Sequence, residues 1–301
     1  MLNLIGNTPL IKLNKIKEEL VLSGNIYAKL EMFNPTGSIK VRIAKAIIID
    51  ALKKGVINKE TLIIEATSGN TGIALAFVCS CLGLKFMAVM PQNTTKEKIK
   101  IIKAYGGKVI LTPKELGMSG ALDYVKKISV ENIFVVSQFN NPLNPLTHEM
   151  YTGPELYSQL NGNIDVIVCG IGSGGTITGI ARYLKSKINV KIIGVEPLSS
   201  PLLSKGISGP HSIEGIGSNF IPDILDLNLV NEIITISDSD AYYGMRMLAS
   251  KEGVFAGISS GAAFMCALEL SKKIEYINKN IVVIFPDGGE RYLSKISILN
   301  E

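Results

Sequence analysis

Short apolar runs alternate with amphipathic segments along almost the whole chain. The runs are rich in Val, Ile and Leu, which is typical of parallel strands that are covered on both faces. The segments between them have the periodicity of helices, and strands that alternate with helices form parallel sheets. The sequence therefore predicts an α/β fold. The predicted strands are Ile26–Leu30, Thr61–Ala66, Lys85–Met90, Lys108–Leu111, Ile133–Val136, Asp165–Cys169, Lys191–Val195, Leu229–Ile236 and Ile281–Phe285. The predicted helices are Ile39–Gly55, Thr71–Gly83, Lys96–Gly106, Ser119–Lys127, Thr176–Ser186, Ser239–Glu252 and Gly261–Ile274.

Composition and charge exclude several classes of protein. The chain has 301 residues, of which 47% are hydrophobic, and this is enough for one large domain or two smaller ones. The net charge of +5 comes from scattered lysines, so we expect no basic face for nucleic acid. There is no run of about 18 apolar residues that would predict a transmembrane helix. The N-terminus lacks the features of a signal peptide, so we expect a cytoplasmic protein without a membrane partner.

The cysteines and histidines do not indicate a metal site. The chain has four cysteines, which lie in apolar segments, and only two histidines. Cys79 and Cys81 are separated by one residue within a helical pattern, which is not a spacing of zinc ligands. We expect all four cysteines to be reduced core residues, without a structural metal or a disulfide. The cysteines are Cys79, Cys81, Cys169 and Cys266.

The segment Asn34–Lys40 is the first of four that carry chemically informative residues. In α/β proteins, ligands bind where loops lead from strands into helices. Ser38 is a suitable N-cap, and Lys40 then falls in the first helical turn. A lysine there is electrostatically unfavourable, because the start of a helix already carries partial positive charge. Lys40 is therefore either a surface lysine or an amine with a lowered pKa that forms a Schiff base.

The second segment, Glu65–Gly72, follows a strand and leads into a helix. Its side chains supply hydroxyls and an amide next to the free N–H groups of the helix start, which suits a small carboxylate. A capped tight turn without a ligand is the alternative interpretation. The candidate ligands for the carboxylate are Thr67, Ser68, Asn70 and Thr71.

The third segment, Gly170–Thr176, is rich in glycine and also follows a strand. Converging backbone N–H groups and the hydroxyl of Thr176 predict a phosphate cradle. The same segment satisfies the dinucleotide pattern G-x-G-x-x-G, and Glu196 ends the next strand where a ribose-binding acid would lie. A nicotinamide-dependent dehydrogenase is therefore an alternative, although it gives no role to Lys40 or to Thr67–Thr71.

The fourth segment, Gly257–Ala262, opens a helix of small residues. Its two serines, Ser259 and Ser260, either cap this helix or bind a heteroatom of a ligand.

Taken together, these segments resemble the cysteine synthase family of pyridoxal-phosphate enzymes, which includes cystathionine β-synthase. The similarity covers nearly the whole chain in the right order, and it argues against the dehydrogenase. The motifs that carry it are IGNTPL (5–10), NPTGSIK (34–40), TSGNTG (67–72), QFNNPLNP (138–145), GIGSGGT (170–176), EGIG (214–217), GISSGAA (257–263) and GERYLS (289–294).

The resemblance implies a role for each candidate residue. Lys40 forms the Schiff base with pyridoxal phosphate and later moves a proton. Asn70 binds the phenolic oxygen of the cofactor, and Ser259 is the partner of its pyridine nitrogen. The cofactor phosphate lies on Gly172, Ser173, Gly174, Gly175 and Thr176. The substrate carboxylate lies on Thr67, Ser68, Asn70 and Thr71, together with Gln138.

The resemblance also implies the fold and the reaction. The expected fold is pyridoxal-phosphate fold type II, similar to tryptophan synthase β, with a smaller mobile domain (35–144) and a larger one (1–34 plus 145–301). The boundary falls at Gln138–Pro145, whose prolines and asparagines are not expected to continue either neighbouring element. The expected reaction is β-replacement through an aminoacrylate, as in the formation of cysteine from O-acetylserine and sulfide. The family is usually homodimeric.

Three departures from the family pattern leave the substrates open. Val41 replaces an aspartate after the lysine; a carboxylate there would offset the positive charge at the helix start, so its loss bears on the pKa or the packing of Lys40. Ser119 replaces a lysine. Ser218 and Asn219 replace the Ala-Gly that cysteine synthases often carry, and relatives that use an amino-acid thiol as nucleophile tend to have polar residues there. The alternative reaction therefore consumes cysteine and releases hydrogen sulfide, with lanthionine or cystathionine as the thioether product.

Overall fold

The computed structural model describes residues 1–128 and 131–295, which form two sheets flanked by helices. The α/β class predicted from the sequence is confirmed. The strands are β1 (Leu10–Lys12), β2 (Asn25–Leu30), β3 (Leu62–Ala66), β4 (Lys85–Pro91), β5 (Lys108–Thr112), β6 (Ile133–Val135), β7 (Val166–Gly170), β8 (Lys191–Pro197), β9 (Glu232–Ile236) and β10 (Asn280–Phe285). The helices are α1 (Asn14–Glu19), α2 (Lys40–Lys53), α3 (Asn70–Leu82), α4 (Lys96–Ala104), α5 (Gly117–Lys127), α6 (Leu143–Thr147), α7 (Gly153–Gln159), α8 (Gly175–Lys185), α9 (Leu202–Lys205), α10 (Asp238–Glu252) and α11 (Ile258–Ser271).

The larger sheet has the strand order β1-β2-β10-β7-β8-β9. β1 is antiparallel to β2, and the other neighbouring strands are parallel. On one face, Met245 of α10 and Phe264 of α11 are buried against the strands. On the other face, Ile177 and Ile180 of α8 are buried. Because both faces are covered, the strands are apolar on both sides, and this explains their continuous apolar sequence.

The smaller sheet has the strand order β5-β4-β3-β6, and all its strands are parallel. Ile47 of α2 and Ile73 of α3 are buried on one face, and Val125 of α5 is buried on the other. These strands lie between residues 62 and 135. This segregation of the strands supports the predicted division into 35–144 and the remainder of the chain, which stays a prediction.

The structure differs from the predicted elements mainly between residues 138 and 159. Here α6, a π-helical turn over His148–Thr152 and α7 follow one another, although the sequence indicates that prolines interrupt this stretch. Pro145 is the third residue of α6, where the N–H has no acceptor within the helix, so a proline does not break it. The predicted strand Leu229–Ile236 begins only at Glu232, because residues 227–229 form a 3₁₀ turn. The short elements β1, α1 and α9 are also absent from the prediction.

The expectation that all four cysteines lie in the core is wrong for Cys81. Cys79, Cys169 and Cys266 are buried, whereas Cys81 is exposed, and all four are free thiols. Cys79 and Cys81 are both in α3. Residues that are two positions apart in a helix point in directions that differ by about 200° around the helix axis. Cys81 therefore lies on the face of α3 that is opposite to Cys79. No helix in the described ranges is long and apolar enough to cross a membrane.

A buried network of charged side chains lies beside the first turn of α2. The guanidinium of Arg42 donates to both carboxylate oxygens of Glu31, at 2.7 and 2.8 Å, and to both of Glu155, at 2.7 Å. Lys29 donates to Glu155 at 2.8 Å. Because two cations neutralise two carboxylates in bidentate geometry, the interior tolerates these charges. The network therefore anchors the start of α2, where Lys40 lies.

Replacing Arg42 with methionine should lower the free energy of unfolding by about 3–5 kcal/mol, because the buried carboxylate of Glu31 loses its partner. The matched control is Lys85→Met, since Lys85 pairs with Glu60 at the surface, where losing an ion pair changes stability little. Urea unfolding of the cofactor-free proteins measures both effects. Equal losses in the two variants would show that the Arg42 network does not anchor α2.

Candidate active site

The loops that follow β3 and β7 meet Lys40, at the start of α2, around a cavity of about 860 Å³. A smaller cavity adjoins it, and Lys40, Gly172 and Ser173 line both, so that they form one continuous site. Gly175 is the one predicted site residue that lines neither cavity. The larger cavity contains Thr67, Ser68, Asn70, Thr71, Gln138, Ser218 and Asn219, and the smaller one adds Gly174, Thr176 and Ser259.

Lys40 is the first residue of α2, and its side chain faces the site rather than open solvent. Burial lowers the pKa of its amine, while Cys169 and Asp287 act in the opposite direction. A lowered pKa leaves more of the amine uncharged and nucleophilic at neutral pH. The geometry therefore favours a reactive lysine over a surface lysine. Val41, in place of the family's aspartate, is buried in the core of the smaller sheet.

Ser38 does not cap α2, in contrast to the prediction. The N-cap is Ile39, and Ser38 pairs with Asp287 in a short antiparallel bridge. The N–H of Ile39 donates to the carbonyl oxygen of Pro286 at 2.8 Å. Because the segment after β10 holds the backbone in this way, the Ser38 side chain does not reach the N–H groups of the helix. Its Oγ is buried, without a hydrogen-bond partner among the described residues.

The glycine-rich loop after β7 leads directly into α8. Gly174 precedes the helix with a φ of +81°. The first N–H groups of α8 have no acceptor within the helix, and together with the helix dipole they favour an anion. A Cβ atom at Gly175 would lie 1.9 Å from Oδ1 of Asn144, so only glycine permits this packing. Gly175 therefore packs against Asn144 and does not line the cavity.

Two side chains outside the predicted site hold this loop in place. Asn144 donates to Oγ of Ser173 at 3.1 Å and to the carbonyl oxygen of Gln138 at 2.9 Å. Nε2 of His148 lies 3.3 Å from Oγ1 of Thr176. Burial lowers the pKa of His148 well below its ordinary value, so the ring is neutral. Both residues belong to the helical segment that the sequence does not predict. Asn144 lies within the QFNNPLNP motif (138–145), whereas His148 lies outside every motif.

The loop after β3 is ordered by its own side chains. Oγ1 of Thr67 accepts hydrogen bonds from the N–H groups of Gly69 at 3.0 Å and Gly72 at 3.3 Å. The hydroxyl of Thr71 donates to Oε1 of Gln138 at 2.6 Å. The structure thus brings Gln138 to this loop across 67 residues of sequence. Ser68 is exposed to the cavity.

A buried carboxylate lies directly behind this loop. Glu65 accepts hydrogen bonds from the N–H groups of Ser137 at 2.8 Å and Gln138 at 3.1 Å. Burial nevertheless raises its pKa to about 7. Glu65 therefore joins the end of β3 to the segment that carries Gln138.

Of the positions that depart from the family pattern, Ser218 and Asn219 line the larger cavity. Ser218 donates to the carbonyl oxygen of Gly172 at 3.3 Å, and the Asn219 amide donates to Oγ of Ser119 at 3.2 Å. Two of the departures, Ser119 and Asn219, thus contact each other. Near them, the buried Lys98 of α4 pairs with Glu214 and lies 4.5 Å from the ring centre of Tyr292.

Comparison with known proteins identifies the family. A protein-family model described as pyridoxal-phosphate dependent enzyme matches residues 1–287. Cysteine synthase B of Campylobacter jejuni is 48% identical over 294 residues, which cover 97% of this chain and 95% of that protein. The chain belongs to the cysteine synthase family of pyridoxal-phosphate-dependent enzymes.

Two solved structures show the same fold. A hydrogen sulfide-producing enzyme from Fusobacterium nucleatum has a TM-score of 0.94 and 45% identity, over 97% of this chain and 98% of that one. An O-acetylserine dependent cystathionine beta-synthase from Helicobacter pylori has a TM-score of 0.92 and 42% identity, over 99% of this chain and 98% of that one. The enzyme therefore has the fold type II architecture expected from its motifs.

The residues at the site fit pyridoxal phosphate. An amine with a lowered pKa, Lys40, lines the same cavity as the start of α8, whose free N–H groups favour an anion, and Ser259. These three features match the aldehyde, the phosphate and the ring nitrogen of the cofactor. When it is bound, the cofactor supplies an electron sink for bonds at the α-carbon of an amino acid.

The dehydrogenase interpretation is wrong, and the environment of Glu196 agrees with the family assignment. Its carboxylate accepts hydrogen bonds from the N–H groups of Leu203 at 2.8 Å and Ser204 at 3.0 Å. Glu196 therefore binds the start of α9, and it is fully buried. A carboxylate occupied in this way does not receive a ribose.

Glu65 should make stability depend on pH. Its pKa of about 7 in the folded chain exceeds its unfolded value, so the folded chain binds more protons between the two values. Unfolding free energy therefore falls as the pH rises from about 4 to 7, by roughly 3 kcal/mol for this group. We expect Glu65→Gln to remove that part of the slope. Denaturant titrations of both cofactor-free proteins at several pH values measure it, and identical slopes would contradict the assignment.

Proposed function

We propose that the enzyme forms cysteine by β-replacement of O-acetylserine with sulfide. The observation that carries this proposal is the position of Lys40, which lines both cavities between the glycine-rich loop and the loop after β3. The identity to cysteine synthases over nearly the full chain supports it.

Each side of the site has a separate task in this reaction. We propose that Gly172–Thr176 hold the cofactor phosphate and that Asn70 binds its phenolic oxygen. The substrate carboxylate binds the hydroxyls and N–H groups of the loop after β3, together with Gln138. Lys40 holds the cofactor through its amine and removes the proton from the α-carbon of the substrate. Its lowered pKa suits this task, because a general base works best when its pKa is close to the working pH.

Ser259 limits the kind of chemistry that the site favours. A carboxylate next to the pyridine nitrogen would keep that nitrogen protonated and make the cofactor a strong electron sink. A neutral hydroxyl makes it a weaker one. A weaker sink favours reactions in which the β-substituent leaves quickly, and it disfavours transamination.

A second candidate reaction consumes cysteine and releases hydrogen sulfide. Two observations support it. Ser218 and Asn219 place polar groups on a cavity of about 860 Å³, which has room for a second amino acid. In addition, a structure with a TM-score of 0.94 belongs to a hydrogen sulfide-producing enzyme. The nucleophile would then be the thiol of cysteine or homocysteine, with lanthionine or cystathionine as the product.

The family assignment supports two further proposals. We propose that the enzyme is a homodimer, since Leu146, Met150 and Tyr151 are exposed on the helical segment 143–152. A cluster of exposed apolar side chains is typical of an interaction surface. We also propose that the enzyme is cytoplasmic.

Product analysis by mass spectrometry tests the proposed function. With O-acetylserine and sulfide, we expect stoichiometric cysteine and acetate. Cysteine alone should give sulfide and lanthionine only if the second reaction is also catalysed, and Asn219→Ala should then reduce lanthionine more than cysteine synthesis. Lys40→Ala should lower the turnover rate of each reaction by about 10²–10⁴-fold or more, because general acid–base catalysis usually contributes a factor of this size.

The outcomes separate the two candidates. Cysteine synthesis without sulfide release from cysteine supports the first reaction alone. Absence of cysteine synthesis, or full turnover by Lys40→Ala, would contradict the proposed function.

A further inference from the structure

Asp287 lies at the point where three loops of the site meet, and neither the motifs nor the proposed reaction gives it a role. It follows β10 and is almost fully buried. Oδ2 of Asp287 accepts a hydrogen bond from Nδ2 of Asn70 at 2.6 Å and another from the hydroxyl of Tyr292. Asn70 lines the larger cavity, whereas Asp287 is not among the residues that line either cavity. Asp287 therefore does not contact a ligand in these cavities directly.

The amide of Asn70 has a charged partner on each side. Its Nδ2 donates to Asp287, and its Oδ1 accepts from Nη1 of Arg291 at 2.5 Å. An amide has two donor hydrogens on nitrogen and acceptor sites on oxygen, and a guanidinium only donates. Reversing the amide would place its oxygen against the Asp287 oxygen and its N–H groups against the Arg291 N–H groups. The two partners therefore determine the orientation of the amide.

This orientation leaves one hydrogen on Nδ2 of Asn70 for the site. We propose that Asp287 is a positioning residue that fixes the Asn70 amide so that it presents an N–H, and not a carbonyl oxygen, to the cofactor. This role rests on the proposed function, in which Asn70 binds the phenolic oxygen. An oxygen of that kind accepts hydrogen bonds, so the wrong orientation of the amide would repel it.

The protonation state of Asp287 does not change the orientation of the Asn70 amide. Burial raises the pKa of this carboxyl group. If the group takes up a proton, Oδ1 is the atom to receive it, because Oδ1 has no hydrogen-bond partner among the described residues, whereas Oδ2 accepts from Asn70 and Tyr292. Oδ2 remains an acceptor in both states. The amide is oriented over the whole working range of pH.

The backbone holds Asp287 in place for this task. Its carbonyl oxygen accepts the N–H of Gly257 at 2.9 Å, and its backbone pairs with that of Ser38. A Cβ atom at Gly257 would lie 2.0 Å from Oδ1 of Asp287, so the glycine makes room for the carboxyl group. Asp287 is thus attached to the segment before Lys40 and to the segment before Ser259 at the same time.

Asp287 could also affect cofactor binding through Lys40 instead of Asn70, because its charge acts to raise the pKa of Lys40. A double-mutant cycle separates the two routes. The readout is the dissociation constant of pyridoxal phosphate, measured by its absorbance and fluorescence on adding it to cofactor-free protein. Melting of the cofactor-free protein reports folding independently.

We expect Asp287→Ala and Asn70→Ala each to weaken cofactor binding about tenfold, as for the loss of one hydrogen bond to a charged group. In the Asn70→Ala background, Asp287→Ala should raise the dissociation constant by less than about a further twofold, because the effects of substitutions at two interacting residues are not additive. The dissociation constant of Asp287→Asn should stay within about threefold of the wild-type value, since the new amide oxygen still accepts a hydrogen bond from Asn70. A tenfold effect of Asp287→Ala that persists without Asn70 would overturn the proposal, and so would wild-type binding by Asp287→Ala.

The matched control is Asp165→Ala. Asp165 accepts the N–H of Asn280 at 2.8 Å at the start of β10, whereas Asp287 follows the end of the same strand. This variant should melt at a lower temperature without a change in cofactor affinity. If it weakens cofactor binding as much as Asp287→Ala does, the effect is one of general stability and the proposal is wrong.

A second variant applies if Asp287→Ala does not fold. In Asn70→Asp with Asp287→Asn, the amide and the carboxylate exchange positions, so the hydrogen bond between them is kept with reversed polarity. We expect this pair to melt above Asn70→Asp alone, but to bind the cofactor no better than Asn70→Ala. Wild-type affinity of the pair would overturn the proposal. Wild-type affinity of Asn70→Ala would remove the role of Asn70 from the proposed function, and the role of Asp287 with it.

Discussion

The buried pairing of Arg42 with Glu31 and Glu155 is the interaction on which the rest of the site depends. It fixes the first turn of α2, and Lys40 is the first residue of that helix. A lysine at a helix start is unfavourable, because it adds positive charge to the positive end of the dipole. Glu31 lies in the 3₁₀ turn that follows β2, and Glu155 lies in α7, so tertiary contacts rather than local sequence hold this turn in place.

The site is built by loops from both sheets, and its proposed anion sites use few charged side chains. The glycine-rich loop offers the N–H groups of a helix start, and the loop after β3 offers hydroxyls and N–H groups. Asn144 joins the two through Gln138: it donates to Ser173 and to Gln138, and Gln138 accepts from Thr71 of the loop after β3. Because the proposed anion sites consist mainly of backbone N–H groups and hydroxyls, they do not require a large positive net charge, and the chain carries only +5.

Features that depend on local sequence could be predicted. The alternation of strands and helices gave the fold class, and the motifs around Lys40 and Gly172–Thr176 gave residues that the structure brings into one site. Features that depend on contacts between distant segments could not be predicted. Asp287 contacts Asn70 across 217 residues of sequence. His148 contacts Thr176 from a helical segment that was not predicted because it contains prolines. The hydrogen bonds of Glu196 to the start of α9 likewise depend on the fold, and they leave the dinucleotide pattern of the glycine-rich loop without its ribose-binding acid.

We propose that Lys40 holds pyridoxal phosphate at the junction of these loops. Reduction of the purified holoenzyme with borohydride, followed by peptide mapping, tests it most directly, because the reduction makes the link between lysine and cofactor permanent. We expect the cofactor mass on the peptide that contains Lys40 and on no other. A label on a different lysine, or no label in a protein that binds the cofactor, would contradict the account.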